Sequence, residues 1–325
     1  MRILREYFKI KKRFLVVGDN HLDTKTPRYR VDDYLETGLA ELEETLLIAE
    51  ATKVDYYILL GDVFNRIDVG GECRNRAINI LASNNGVPWS FKKYIVVGNH
   101  DIAHNPNFMI KSAIQSLVSA GVVNYEEYIE NLPVKFFHFE PDLDEKLKKG
   151  ELENYTQDII FLHASIVDKP TRFDHVLFSD LKAHPNTKLI ISGHIHSPME
   201  SENNKTRFIN PGSLGRSEVT ENHQPHVLLF QYDFDLKTYE HKYLKLKNSL
   251  PFDVVFDIEK STQKKDDDKH TEMFIQTVTN VELEEVVTGN LANDFMIFAQ
   301  KRNMNDDIIN IVINTMNVIK TGGNL

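Results

Sequence analysis

"RFLVVGDNH", residues 13–21, decides the architecture: Phe14 to Val17 run apolar up to Gly18, and two groups able to bind protons or cations follow, Asp19 and His21. An unbroken run of large and β-branched residues closed by glycine reads as a strand buried on both faces. The pattern recurs. "YYILLGDVF" (56–64) delivers Asp62, "KYIVVGNHD" (93–101) delivers Asn99, His100 and Asp101, "DIIFLHAS" (158–165) delivers His163, and "KLIISGHIH" (188–196) delivers His194 and His196. Segments of helical spacing separate the first three runs. Over 32–53, Leu35, Leu39, Leu42 and Leu46 mark one face of a helix expected to cover the sheet. Strand, helix, strand, helix, strand is the order of an α/β protein with a mainly parallel sheet, whose sites lie at the carboxyl ends of the strands.

In extended chain, positions i and i+2 share a face, so Asp19 and His21 can converge on one object, as can His194 and His196. A single Gly-Asp after a strand is ordinarily a turn or a helix cap, and a lone H-x-H is ordinarily a pair of surface histidines. Groups of this kind at five strand ends are harder to account for in that way. Oxygen and imidazole donors without a thiolate suit manganese, iron or zinc better than calcium. The candidates Asp19, His21, Asp62, Asn99, His163, His194 and His196 are too many for one ion with an open position. Two ions roughly 3.5–4 Å apart, sharing a carboxylate and a water, would use them all and clamp a phosphate for in-line attack.

In order along the chain, "DNH", "GD", "GNHD", "FLH" and "GHIH" resemble the pattern of the calcineurin-like metallophosphoesterases, over residues 14–216. The resemblance implies an α/β fold, a four-layer αββα sandwich. It also implies that Asp19, His21 and His196 hold one metal, that Asn99, His163 and His194 hold the other, and that Asp62 bridges them. The implied cofactors are two divalent ions, manganese first, with iron or zinc as alternatives. His100 is implied to face the substrate phosphate and to stabilise or protonate the leaving oxygen, a task suited to a group that titrates near neutral pH. Asp101 is expected either to orient that ring or to cap a helix ahead of "NPNFMIKSAIQSL".

The fold serves many substrates, so the substrate has to be argued from other residues. "GNHD" and "GDVFNR" depart from the G-N-H-E and G-D-x-V-D-R-G of the serine/threonine phosphatase branch. "RFINPGSLGRSE" (207–218) is similar to the P-G-S segment of SbcD-type nucleases and of some small phosphodiesterases. The continuation "HVLLFQYDFDLKTYEHKYLKLKNSLPFDVVFDIEK" (226–260) resembles the SbcD arrangement, in which closing strands lead through a proline-phenylalanine segment into a small capping domain. The reading is an SbcD-type DNA nuclease, exonuclease or endonuclease, partnered by a coiled-coil ATPase. The alternative is a small-molecule phosphodiesterase or nucleotidase. A binding module on a decayed esterase fold is disfavoured, because every ligand position is filled and His100 is present.

A chain of 325 residues, 41% apolar, has room for a sizeable α/β domain and a small appendage. The expected division is a nuclease domain over 1–246, a capping region with a charged linker over 247–280, and a helical hairpin over 281–325. The linker is "EKSTQKKDDDKH" (259–270), and 142–157 reads as a surface excursion. In the hairpin, Asn305 or Asp306 would cap a second helix with more apolar surface than it can easily bury. The resemblance places the ATPase partner at 281–320 and adds homodimerisation as an expectation. A formal charge of -10 is unusual for a DNA binder, although two divalent ions would return positive charge where a phosphate must sit. Lys25, Arg28, Arg30, Arg66 and Arg216 are candidate phosphate contacts. Cys73, the one cysteine, allows no internal disulfide and is expected at the surface or half-buried. No apolar stretch approaches the roughly 18 residues of a membrane span, and the amino terminus is too charged for a secretory signal. A soluble cytoplasmic protein is expected, in the host cytoplasm if the chain is viral.

Overall fold

The computed structural model describes residues 10–203 and 205–262, with 295, 296, 299, 305, 309, 310, 312 and 313 beyond them. The chain divides into two compact units between Asp257 and Ile258. The first opens with β1 (Lys11–Val17), α1 (Tyr34–Ala51), β2 (Tyr56–Leu59) and α2 (Gly70–Ala82). A short hairpin of β3 (Ser83–Asn84) and β4 (Val87–Pro88) leads to β5 (Lys92–Ile95) and α3 (Ala113–Ser119). Next come β6 (Val134–Phe137), α4 (Leu143–Lys148), β7 (Ile159–His163) and a small pair, β8 (Ile166–Val167) and β9 (Val176–Leu177). The unit closes with β10 (Leu189–Gly193), β11 (Met199–Asn203), β12 (Thr206–Asn210), β13 (His226–Asp233), β14 (Thr238–Lys245) and α5 (Phe252–Val255).

The mainly parallel sheet expected from the strand order is in fact two five-stranded sheets, β14-β13-β1-β2-β5 and β11-β12-β10-β7-β6. Within each, the site-bearing strands are parallel: β1 with β2 and β2 with β5 in one, β7 with β10 in the other. Antiparallel strands close the edges, β13 and β14 on one sheet and β11 on the other. Two-sided burial explains why the strand sequences look alike. Leu15 and Val17 join the core under α1, α2 and α3, whereas Phe14 and Val16 join the core between the sheets. Ile159 and Phe161 enter that same central core, and Ile160 and Leu162 face an outer layer with Leu143 and Leu147 of α4. The layers are therefore α, β, β, α. Stacked rings fill the centre, with Phe14 and Phe230 centroids 4.7 Å apart and Phe136 and Phe161 5.4 Å apart.

Helix α1 starts where Asp33 accepts the Glu36 N–H at 3.2 Å and buries Leu39, Leu42 and Leu46. The stretch 142–157 is corrected from a bare surface excursion: Leu143, Leu147 and Leu152 are buried and build the fourth layer, with the charged residues between them turned outward. Cys73 is also corrected. It is fully buried on the inner face of α2 with Ala77 and Leu81, at i, i+4 and i+8, and burial pushes its thiol up to about 12.

In the second unit, Phe295, Ala299 and Val312 form a small apolar cluster with Ile309 and Ile313 packed against it. The Asn305 carbonyl accepts the Ile309 N–H at 3.2 Å, as a helix N-cap carbonyl does. Of the linker expected over 259–270, residues 259–262 are described and helical. The rest of it, Asp306 and most of 281–325 lie outside the described residues. Among the described residues no helix is long and apolar enough to cross a membrane.

Candidate metal centre

The five ligand-bearing strands end at one edge, and each of their loops is fixed by main-chain bonds. The Asp62 carbonyl accepts the N–H of Asn20 at 3.1 Å and of His21 at 2.9 Å, which docks the loop after β1 on the loop after β2. Three of the candidates sit in the left-handed region, His21 at φ 50°, Asp62 at φ 47° and His194 at φ 80°. That conformation is uncommon for residues with a Cβ and collects at functional sites, where surrounding contacts hold it. Here His194 N–H donates to Asp19 Oδ2 at 3.0 Å and His100 N–H to Asp62 Oδ1 at 2.8 Å. Gly98 is required by proximity: a Cβ there would lie 2.1 Å from Asp62 Oδ1. The "NPGSLG" segment acts as a clamp. The N–H groups of Leu214 and Gly215 donate to the Asp19 carbonyl at 2.8 and 3.0 Å, and Ser213 N–H donates to the His196 carbonyl at 3.0 Å.

All seven predicted ligand residues come together. Asp19, His21 and His196 form one group and Asp62, His163 and His194 another, each with its ligand atoms within 4.8 Å of one another. His21, Asp62 and His100 form a third between them. His21 Nε2 faces His196 Nε2 at 2.9 Å, and Asp19 Oδ2 lies 3.7 Å from that same His196 nitrogen. Asn99 Oδ1 lies 3.0 Å from His163 Nε2 and 2.9 Å from His194 Nδ1, and Asp62 Oδ2 is 3.3 Å from His163 Nε2. Ring nitrogens and oxygens of buried and half-buried side chains thus converge. Only one proton can lie between the two Nε2 atoms, whereas a divalent cation satisfies the whole group. The residues fit a pair of cations with mixed nitrogen and oxygen ligands.

The electrostatics agree. Burial, with the charge of neighbouring rings, drives His21 and His194 down to about 3, so these rings are neutral. His163 is pulled the other way: burial opposes its charge, but the Asp62 carboxylate outweighs that and raises it to about 10. Asp62 is correspondingly held below the usual carboxylate range, against its burial, by His163. Burial raises Asp19 to about 6. His163 thus keeps a proton on the side where a cation would sit, and cation binding displaces such a proton.

Two ring orientations come from main-chain carbonyls. His163 Nδ1–H donates to the Leu60 carbonyl at 2.8 Å, which leaves Nε2 for Asp62 and Asn99. His100 Nδ1–H donates to the Asn65 carbonyl at 2.9 Å, which leaves Nε2 as its free atom, and its ring stands edge-on to His21 at 4.9 Å. Asp101 is corrected in both expected roles. It is buried and accepts Gly98 N–H at 3.0 Å and Phe64 N–H at 3.1 Å, so it ties two strand-end loops together and leaves the His100 ring to Asn65. The caps lie within "NPNFMIKSAIQSL" itself: Asn105 caps its opening 3-10 turn and Ser112 caps α3.

Two phosphate contacts are likewise corrected. Arg216 is buried and donates inward to the Leu250 carbonyl at 2.5 Å and Ser249 Oγ at 3.2 Å. Arg30 is buried too, forked onto Asp32 and bonded to the Arg216 carbonyl at 2.7 Å. Arg66 forks onto buried Asp23 at 2.7 Å with its side chain half exposed, and Lys25 and Arg28 are exposed. The sequence gives no warning of Glu221. Its carboxylate accepts from His196 Nδ1 and is buried at the site, 25 residues from the histidine it touches.

The family model of the calcineurin-like phosphoesterases matches residues 12–198, more than half of the chain. No curated protein matches the chain. Similar solved structures include a novel archaeal phosphodiesterase, 15% identical, with 71% of this chain and 99% of that one covered and a TM-score of 0.37. A dimetal phosphatase from Danio rerio is 14% identical, with 72% and 98% covered and a TM-score of 0.43. GAP50, the anchor in the inner membrane complex of Plasmodium, is 14% identical, with 74% and 86% covered and a TM-score of 0.47.

Proposed function

The chain belongs to the calcineurin-like phosphoesterases, and from that premise we propose that it is a two-metal phosphodiesterase acting on DNA, of the SbcD nuclease type. One observation carries the phosphodiesterase reading: seven donors from five strand ends meet at a single place, with the free Nε2 of His100 beside them. In this reading Asp19, His21 and His196 hold one cation, Asn99, His163 and His194 hold the second, and Asp62 serves both. Bound divalent cations, manganese first, supply Lewis acidity and lower the pKa of water. The chain's own residues do the rest. Leu60 and Asn65 fix the His163 and His100 tautomers through their carbonyls, so neither ring must reorganise during the reaction. His100 presents Nε2 to the leaving oxygen, to stabilise it or to deliver a proton to it.

The DNA assignment rests on the likeness of 207–218 and 226–260 to the SbcD arrangement. Exposed Lys25 and Arg28 and half-exposed Arg66 supply cations for a backbone near the loops that carry the ligands. The ATPase partner proposed for 281–320 rests on the same likeness. Manganese-dependent digestion of end-labelled duplex DNA tests the assignment, with His100→Ala as the inactive control. Hydrolysis of bis(p-nitrophenyl) phosphate with DNA left intact, even with a coiled-coil ATPase supplied, would replace it with the small-molecule phosphodiesterase or nucleotidase reading.

A further inference from the structure

Among the described site histidines, only His196 has a carboxylate against the nitrogen that points away from the ligand cluster. His163 and His100 lean on main-chain carbonyls, and His194 uses Nδ1 itself to face Asn99. Behind His196 stands Glu221, 5% exposed. Its other oxygen accepts Ser217 N–H at 2.7 Å and lies 3.5 Å from Ser213 Oγ, so the carboxylate is held from two sides by the segment that also clamps the Asp19 and His196 backbones. The ring between Glu221 and the cluster presents Nε2 to His21 Nε2 and Asp19 Oδ2.

We infer that Glu221 is a positioning residue for the cation held by Asp19, His21 and His196, and that it makes this position the first of the two to fill. The inference rests on the two-cation reading above. Its physical basis is charge and orientation. Accepting the Nδ1 proton fixes the tautomer that leaves Nε2 free, and a buried negative charge behind the ring strengthens Nε2 as a donor to a cation. The two positions also differ in charge: Asp19 and Glu221 belong to the first, whereas Asn99, His163 and His194 add no carboxylate to the second. Asp62 is common to both. A cation entering the empty centre therefore meets the stronger field at Asp19, and the second binds against the charge of the first.

The test is manganese binding to the full chain by calorimetry, with bound ions counted by paramagnetic resonance, on the wild type, Glu221→Gln and His223→Ala. Glutamine keeps the shape and removes the charge. His223 supports the same loop by donating to the Ser213 carbonyl at 2.8 Å, without touching His196. Melting in excess chelator shows whether each variant is folded. The expected result is two binding events in the wild type and loss of about 10–100-fold in the tighter event of Glu221→Gln. The weaker event should be unchanged, and His223→Ala should keep both. If Glu221→Gln binds both ions as the wild type does, weakens both alike, or is matched by His223→Ala, the inference is wrong while the metal centre stands. A folded wild type that binds no manganese would remove the two-cation reading itself.

Discussion

His100 hangs from one main-chain carbonyl and shares its neighbourhood with His21 and Asp62, so its removal should separate catalysis from metal binding. His100→Ala is expected to lower kcat by about 10²–10⁴ on a phosphodiester while manganese stoichiometry holds, checked by steady-state kinetics beside metal analysis. Loss of bound metal in that variant would make His100 a ligand instead. Gly98→Ala acts in the opposite way. A methyl 2.1 Å from Asp62 Oδ1 must displace that carboxylate, so on the two-cation reading this variant should lose metal and activity together while the sheets stay folded by circular dichroism. At this scale the candidate ligands were legible because donors recur at one strand end after another, paired two residues apart at Asp19 and His21 and again at His194 and His196. The carbonyls of Leu60 and Asn65 carry no letter at all, and Glu221 in "RSEVTENHQ" looks like any surface glutamate. Arg216 looked available for phosphate because sequence gives a charge but not the direction in which it points.

At the scale of elements, α1 carries Glu41 inward, 3% exposed, near the Arg216 that holds Ser249 and Leu250. Burial raises Glu41 from 4.5 to about 7, with a Ser249 hydrogen bond and Arg216 pulling it back. A raised carboxyl pKa means that the folded chain binds the extra proton between those two values. Its contribution to stability therefore falls as pH rises from about 4.5 to about 7. At about 1.4 kcal/mol per unit, the whole effect is at most about 3.5 kcal/mol. Glu41→Gln should flatten that part of the pH–stability curve relative to wild type in chelator, read by urea unfolding at pH 5 and pH 8. A curve parallel to wild type would contradict the shift. In the outer layer, Leu147→Ala should cost about 2–5 kcal/mol, because Leu147 of α4 is fully enclosed against the second sheet. Helix α1 was readable from its leucine spacing. Helix α4 was not, since one short amphipathic turn among many charges resembles a loop until a sheet lies beneath it.

At the largest scale, the first unit is built on two sheets whose candidate-site ends are joined by side chains, with Asp62 from one sheet against His163 from the other. Sequence could show that each strand is buried on both faces, but not whether the neighbour on a given face is a helix or a second sheet; the family resemblance supplied that choice. Candidate ligands drawn from both sheets would also couple metal binding to stability. Saturating manganese at 100 times its dissociation constant should add about 2.7 kcal/mol to unfolding for each ion bound, and chelator should remove it. Anomalous diffraction from crystals of the full chain grown with manganese tests the central claim most directly. The account predicts two peaks about 3.5–4 Å apart, one against Asp19, His21 and His196, the other against Asn99, His163 and His194, with Asp62 touching both. A single peak, or peaks away from these residues, would contradict it.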